Sequence, residues 1–541
     1  MILPRLSLIF PALLMAASIA CAQTPTEPAP PVVGGYQTAP VDDPDIKSAA
    51  DFAVSAASKP YTLTEIVAAR RQVVADVNYS LCLRTFHPRP LCRRQGLPRP
   101  EPDLPTDLLA GCEDLQLMDY QPAPRLAQSA LALHDPVTAA DFPQTILRYR
   151  NQRAAQSVGL DTLTDADWIA HFGGFQPLPD NQPIPLALRY HGHQFRHYNP
   201  DLGDGRGFLF AQLLDDQDRL LDLGTKGSGK TPYSRGGDGR LTLKGGVREV
   251  LATAMLEALG VPTSKSFSLI ETGEPLVRGD EPSPTRSSVL VRLSQSHIRF
   301  GTFERLAYRN EIETLHDLFG FILANYYSAC TDAASLFDAV VTQTARLTAS
   351  WMAAGFVHGV LNTDNMNITG ESFDYGPSRF LPYYDPNFTA AYFDHTGLYA
   401  YDRQPDAVLW NLGQLGRCLT LISEPEPLIT SFNAFNTRYE QELGLAICRR
   451  LNIRPKPDNA PLVSALYAFL ATLRSDGSFE GLFYDWFGGR LSENRALSGP
   501  RAESYAGETF AAFHDLLKTY DTASPEKLDH PRFRQADPET L

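Results

Sequence analysis

Between Asp222 and Arg240 the chain reads Asp-Leu-Gly-Thr-Lys-Gly-Ser-Gly-Lys-Thr-Pro-Tyr-Ser-Arg-Gly-Gly-Asp-Gly-Arg. Such a run of glycines lets backbone approach a ligand closely. The interleaved cations and hydroxyls suit phosphate. Gly224, Gly229, Lys230 and Thr231 satisfy the P-loop spacing G-x-x-x-x-G-K-T. A P-loop, however, needs a helix beginning at its Lys-Thr pair, because the phosphates sit on that helix N-terminus. Here Pro232 follows at once, and Gly236, Gly237 and Gly239 would each weaken a helix by roughly 1 kcal/mol relative to Ala. No helix is expected after Lys230, which leaves Lys226, at the end of a strand, as the working lysine.

The flanking segments give Lys226 a setting. Phe208–Leu214 and Leu220–Thr225 read as strands separated by the polar Asp215–Asp218, and a glycine-rich turn, Gly203–Gly207, precedes them. Gly245–Gly260 reads as a helix with Val247, Val250, Leu251, Ala254, Met255 and Ala258 on one face and Gly260 as its C-terminal cap. Glycine-rich turn, strand lysine, helix glutamate is the order of a protein-kinase N-lobe, with Glu249 as the partner of Lys226. Further on, His358-Gly-Val-Leu-Asn-Thr-Asp-Asn365 keeps the His-to-Asn spacing of a kinase catalytic loop, but Val360 stands where the catalytic Asp belongs. Asp374-Tyr-Gly376 occupies the place of Asp-Phe-Gly, and Asn365 and Asp374 are oxygen ligands hard enough for Mg²⁺. Asp364 is the one carboxylate in the His358–Asn365 loop that could replace the missing base.

Several ordered motifs together resemble the SelO (selenoprotein O) family. They are Tyr190-His-Gly-His-Gln-Phe195, Leu202-Gly-Asp-Gly-Arg206, Lys226 to Arg235, Gly237-Asp-Gly-Arg240, Ser296-His-Ile-Arg-Phe-Gly301, His358 to Asn365, Asp374-Tyr-Gly-Pro377 and Tyr399 to Pro405. The resemblance runs from about Ala140 to Thr430. It implies a protein-kinase-like pseudokinase that binds ATP flipped relative to kinases and transfers AMP to protein hydroxyls, with pyrophosphate leaving. It also implies roles. Asp364 would accept the proton; Lys226 would neutralise phosphate and Glu249 would position it. Gly203, Gly205, Arg206, Asp238 and Gly239 would lie against the nucleotide. Arg292 and Arg299 would clamp the terminal phosphate, and Asn365 and Asp374 would hold Mg²⁺ or Mn²⁺. The chain departs from the family pattern at Arg196-His-Tyr198, where a glycine is usual, and at Lys230, where arginine is expected. Its end, Ala536–Leu541, carries no Cys-x-x-Cys-like motif.

The fold class that follows is α+β: a bilobal, kinase-like fold with N-terminal and C-terminal helical extensions. Met1–Arg5 followed by the apolar Leu6–Ala20 and the small-x-small Ala20-Cys-Ala22 reads as an export signal over 1–22, giving a periplasmic or secreted protein. A lipoprotein or organelle-targeted protein is the less favoured alternative. A Pro/Ala-rich linker follows over 23–60. An N-terminal extension over 61–140 includes a helix at Tyr61–Val77. The N-lobe is expected over 141–305, the helical C-lobe over 306–450 with helices at Ala334–Ala354 and Ala407–Ile422, and a C-terminal extension over 451–541 with a helix at Pro461–Leu473. Six cysteines would remain after cleavage; Cys82 and Cys92 are the best disulfide pair, and Cys418 and Cys448 read as buried thiols. A formal charge of −14 argues against nucleic acid as a partner. His191, His193 and His197 lack the Cys or carboxylate that would complete a zinc site. The expected partners are ATP and hydroxyl-bearing proteins, with no integral membrane span. Two other readings are a kinase-like phosphotransferase and a non-catalytic nucleotide-binding pseudokinase. Val360 and the Arg292/Arg299 pair weigh against the first, and the complete set Lys226, Glu249, Asp364, Asn365 and Asp374 weighs against the second.

Overall fold

A computed structural model describes residues 119–279, 281–473, 478–530 and 533, together with residue 47 and the strand backbones 36–38, 62–73 and 77–86. All of these belong to one compact unit, Val32–Leu541. The export signal expected over 1–22, the side chain of Cys82 and residues Cys92 and Cys112 lie outside the described residues.

The site is built on a nine-stranded antiparallel sheet. Its strands are β1 (Gln121–Pro122), β2 (His134–Pro136), β3 (Ile146–Arg150), β4 (Leu186–Leu188), β5 (Leu209–Leu214), β6 (Leu220–Lys226), β7 (Leu241–Thr242), β8 (Lys265–Leu276) and β9 (Thr285–Ser294). The order is β2-β4-β5-β6-β9-β8-β3, with β7 on β9 and β1 on β5. The β5–β6 hairpin forms where two apolar runs flank a polar turn. The Asp215 carboxylate accepts from the amides of Gln217 (3.0 Å) and Arg219 (2.9 Å), and Asp218 takes the left-handed conformation at φ 57°. On the sheet's far face Trp168 stacks on Phe267, with centroids 4.8 Å apart, inside an apolar cluster that includes Phe172 and Phe210.

Helix α1 (Leu243–Ala258) is capped at both ends. The Thr242 hydroxyl accepts from the Gly245 amide at 3.1 Å. Gly260, at φ 77°, lets Val261 N–H reach the Leu256 carbonyl (2.9 Å) and its own N–H reach that of Glu257 (3.0 Å), a Schellman closure. The face is a correction to expectation. Gly246, Glu249, Ala252, Thr253 and Leu256 are buried, while Val247, Leu251 and Met255 are 42%, 64% and 37% exposed. Helical spacing decides which residues share a stripe, but contact decides which stripe is buried. A Cβ on Gly246 would stand 2.4 Å from Leu269 of β8, so the glycine face is the one that can lie against the sheet. That orientation also turns Glu249 inward.

Helical structure follows the sheet: α2 (Phe300–Tyr308), α3 (Ala333–Ala353), α4 (Gln404–Leu419), α5 (Phe435–Arg450) and α6 (Ala460–Leu470), with further helices, among them Ile312–Asn325 and Gly507–Leu517. The three helices expected at 334–354, 407–422 and 461–473 are found within three residues at each end. α3 is the central one, burying Trp351 and Phe337 among residues of α2 and α4. Cys330, Cys418 and Cys448 are free thiols, the last two buried in α4 and α5. The expected α+β arrangement, an antiparallel sheet followed by helices, is therefore present, with one exception. The helix expected at Tyr61–Val77 is replaced by paired antiparallel strands, Thr62–Val73 and Val77–Phe86. Thr62, Thr64, Ile66, Val67 and Val73 favour a pleated strand, and an adjacent ladder partner overrides a weak helical period. Among the described residues no helix is long and apolar enough to cross a membrane.

Candidate active site

Lys226 ends β6, and Glu249 lies within the second turn of α1. Lys226 Nζ donates to Glu249 Oε1 at 2.5 Å and to Asp374 Oδ1 at 2.9 Å. Glu249 Oε1 also accepts from the Tyr375 amide at 3.1 Å, so one buried carboxylate holds both the lysine and the segment after Asp374. The order glycine turn, strand lysine and helix glutamate has closed into an ion pair.

The helical side contributes a loop that begins after Phe356–Val357, a short strand paired with Arg379–Phe380. The His358 amide donates to Gln404 Oε1 (2.9 Å), and His358 Nε2 donates to the Phe373 carbonyl (3.0 Å), which ties this loop to the residue before Asp374. Thr363–Asn365 forms a 3₁₀ turn, and Asp374 takes a left-handed φ of 64°. Three cations converge on Asp374: Lys226, Arg292 Nη1 at 2.6 Å and Arg299 Nη1 at 3.4 Å. Burial pushes the Asp374 carboxyl up, but Arg292, Lys226 and Arg299 outweigh it and hold the carboxyl well below the usual range. Arg299 also donates to the Asp364 carbonyl (2.8 Å) and to Asp204 Oδ1 (3.3 Å), with its guanidinium 4.4 Å from the Tyr190 ring centroid.

Asp364 is held differently. Its Oδ1 is buried without a hydrogen-bond partner. Burial pushes its carboxyl up to about 7 against the pull of Arg299. The half-buried Asn365 opens on the same cleft as Asp364 and Asp374. An orphaned carboxylate oxygen, an amide and a carboxylate are hard donors of the kind Mg²⁺ or Mn²⁺ takes, so the residues fit a divalent cation. Among the described residues no cluster of three or more His, Cys, Asp or Glu side chains forms a cage alone. Phosphate oxygens and water would have to complete the shell, as is usual for Mg²⁺.

These groups face one cleft of about 490 Å³. It brings together Asp364, Asn365 and Asp374 with Lys226, Arg292 and Arg299; Gly203, Gly205, Arg206, Asp238, Gly239 and Val360 also line it. Glu249 is not on the wall but behind Lys226. Lys230 is exposed and outside the cleft, and no helix follows it. Gly203 has a packing reason of its own: a Cβ there would stand 2.3 Å from the Tyr233 ring, which donates its hydroxyl to Asp135. Asp238 is paired with Arg278 at 2.8 Å. His191 Nδ1 is 2.7 Å from the Tyr198 hydroxyl, and His193 Nδ1 is 2.5 Å from Glu304 Oε1, so both rings brace the loop. Sequence reasoning missed Asp204, Arg278 and Glu304. Asp204 carried a signal, an acid between the two glycines of its turn. Glu304 and Arg278 carried none, since their partners are distant in the chain.

The family model described as protein adenylyltransferase SelO matches residues 116–491, more than half of the 541. A Trichormus variabilis protein named protein nucleotidyltransferase YdiU is 49% identical over 376 residues, covering 68% of this chain and 76% of its own. A Synechococcus elongatus protein of the same name is 53% identical over 340 residues, covering 62% and 68%. A solved structure, the Toxoplasma gondii protein ROP2, titled a virulence factor with a protein-kinase fold and no enzymatic activity, matches at 13% identity. It covers 55% of this chain and 85% of its own with a TM-score of 0.24, too low to bear on the fold. A buried lysine–glutamate pair, an acidic metal-fitting loop and a cation-lined cleft thus sit inside a region matched along most of its length by nucleotidyltransferases, and the chain belongs to the SelO family of protein adenylyltransferases.

Proposed function

We propose that this nucleotidyltransferase moves AMP from ATP to serine, threonine or tyrosine hydroxyls of other proteins and releases pyrophosphate. The observation that carries the reading is Asp364, a buried carboxylate with an unpartnered Oδ1 on the wall that also presents Lys226, Arg292 and Arg299. The acceptor hydroxyl attacks the α-phosphorus. A new O–P bond forms, the bond from that phosphorus to the α–β bridging oxygen breaks, and Asp364 takes the hydroxyl proton. A carboxyl pushed up to about 7 is well matched to that task near neutral pH. Lys226, positioned by Glu249, offsets phosphate charge. Arg292 and Arg299 hold the β- and γ-phosphates with planar forks and stabilise the departing pyrophosphate. Gly203, Gly205, Arg206, Asp238 and Gly239 form the walls against which the nucleotide lies. Asn365 and Asp374 would hold Mg²⁺ or Mn²⁺, which when bound supplies positive charge against the phosphate oxygens.

Val360 at the usual base position, with Asp364 in its place, favours attack at the α- over the γ-phosphate. The test is incubation of the chain with a protein acceptor, Mg²⁺ or Mn²⁺, and ATP labelled at the α or the γ phosphate. Label retained from α alone, and lost in Asp374→Ala, is the expected result; label retained from γ refutes the reading. The same proposal includes export through Met1–Ala22. Fractionation of the host followed by mass measurement should find the chain beginning at Gln23 in the periplasmic or secreted fraction, and its recovery from the cytoplasmic fraction with Met1 intact would refute export.

A further inference from the structure

Behind the cleft a file of buried polar side chains crosses the sheet and ends at Arg292. Gln212 Nε2 donates to Asp222 Oδ1 at 2.7 Å. Asp222 Oδ2 accepts from the His297 amide at 2.9 Å and lies 3.2 Å from His297 Nδ1. His297 Nε2 lies 3.3 Å from Arg292 Nε, and Arg292 Nη1 reaches Asp374. All four of Gln212, Asp222, His297 and Arg292 are buried. A guanidinium has only donors, so His297 Nε2 must accept and the ring proton must sit on Nδ1, facing Asp222. Ser294 Oγ, 3.3 Å from Nδ1, is the other polar neighbour of that nitrogen. The backbone leaves room for this arrangement. Gly224 stands opposite Arg292 in the β6–β9 register, and a Cβ on it would come within 2.1 Å of His297 Nε2.

We propose that Asp222 and His297 are a positioning pair for catalysis: His297, held by Asp222, accepts from Arg292 Nε, fixes the plane of its guanidinium and aims its Nη groups into the cleft. This rests on the reading of Arg292 as a ligand of the terminal phosphates. An arginine has a long flexible stem, and holding Nε removes the freedom that would otherwise oppose a bidentate phosphate contact. The pair touches no substrate atom, so its effect is specific to nucleotides that carry the phosphates Arg292 holds.

The test is calorimetric binding of ATP and of AMP to the full chain and to His297→Phe, His297→Gln, Arg292→Ala and the double variant His297→Phe/Arg292→Ala. His297→Phe should weaken ATP about tenfold, the size of one lost hydrogen bond to a charged group, and leave AMP within about twofold. His297→Gln, whose amide oxygen can accept from Arg292 Nε, should recover most of the loss. The double variant should bind ATP no more weakly than Arg292→Ala alone, because the two act as one unit. Equal losses for ATP and AMP, additive losses, or no loss in His297→Phe would overturn the pair while leaving Arg292 a phosphate ligand. Unchanged ATP affinity in Arg292→Ala would instead refute the phosphate reading itself, and the pair with it. If His297→Phe fails to fold, Asp222→Ala, which removes the acceptor facing Nδ1, carries the same ATP-selective expectation, and unchanged ATP affinity in it overturns the proposal.

Discussion

Lys226 and Lys230 are four positions apart and have opposite fates. Lys226 is buried between Glu249 and Asp374, whereas Lys230 is exposed and off the cleft wall. Lys226→Ala should therefore reduce AMP transfer by about 100-fold or more, the scale of removing a preorganised charge from an active site. Lys230→Ala should reduce it by less than about threefold, since exposed charges contribute little. Steady-state assays of both variants decide, and equal losses would return the P-loop reading. A second residue-scale outcome concerns His191. Burial, then Arg305 and Arg309, lower its ring to about 4. Its folded value lies below the unfolded value near 6.5, so the unfolded chain takes up the proton first. The associated stability is complete above about pH 6.5 and is lost as pH falls toward 4. Thermal midpoints should fall across that window, and His191→Gln should flatten the slope; an unchanged slope would rule His191 out. The residues that share the cleft were legible at this scale wherever residue type and spacing carry them, as at Asp364, Asn365 and Asp374. Glu304 was illegible, because its partners His193 and Thr363 come from segments far away in the chain.

At the scale of elements, β5, β6 and α1 were readable because each has a local cause: apolar runs around an Asp-rich turn, a helical apolar period, a Gly at C′. The buried side of α1 was not. It was selected by Gly246 against Leu269 and by the demand that Glu249 reach Lys226. Leu251→Glu should leave denaturant stability within about 0.5 kcal/mol, as exposed substitutions do. Leu256→Ala, on the buried stripe, should cost about 2–5 kcal/mol. Equal effects would mean that the Leu251 stripe is covered in solution. The paired strands Thr62–Val73 and Val77–Phe86 went unseen because a strand is stabilised by its ladder partner, which periodicity within one segment does not reveal.

For the whole molecule, the informative contact is Asp374, which reaches from the segment after the catalytic loop to Lys226 and Arg292 on the sheet. Asp374 neutralises the cations proposed to hold phosphate. Nucleotide with a divalent cation should exchange these partners and stabilise the fold by mass action, about 2.7 kcal/mol at a hundredfold excess over Kd. A thermal shift with ATP and Mg²⁺ or Mn²⁺, diminished by chelator and lost in Asp374→Ala, is the expected result. No chelator effect would argue against metal at Asp374. By itself the sequence determined the secondary elements with local causes, the family, and the identity of the groups that meet at the cleft, because turn chemistry, capping and motif spacing act over a few residues. Tertiary structure alone decided which face of α1 is buried, that Asp374 gathers three cations, that Asp364 keeps an unpartnered oxygen, and that His297 lies against Arg292. Those depend on desolvation and on contacts between residues tens of positions apart, which no local pattern encodes.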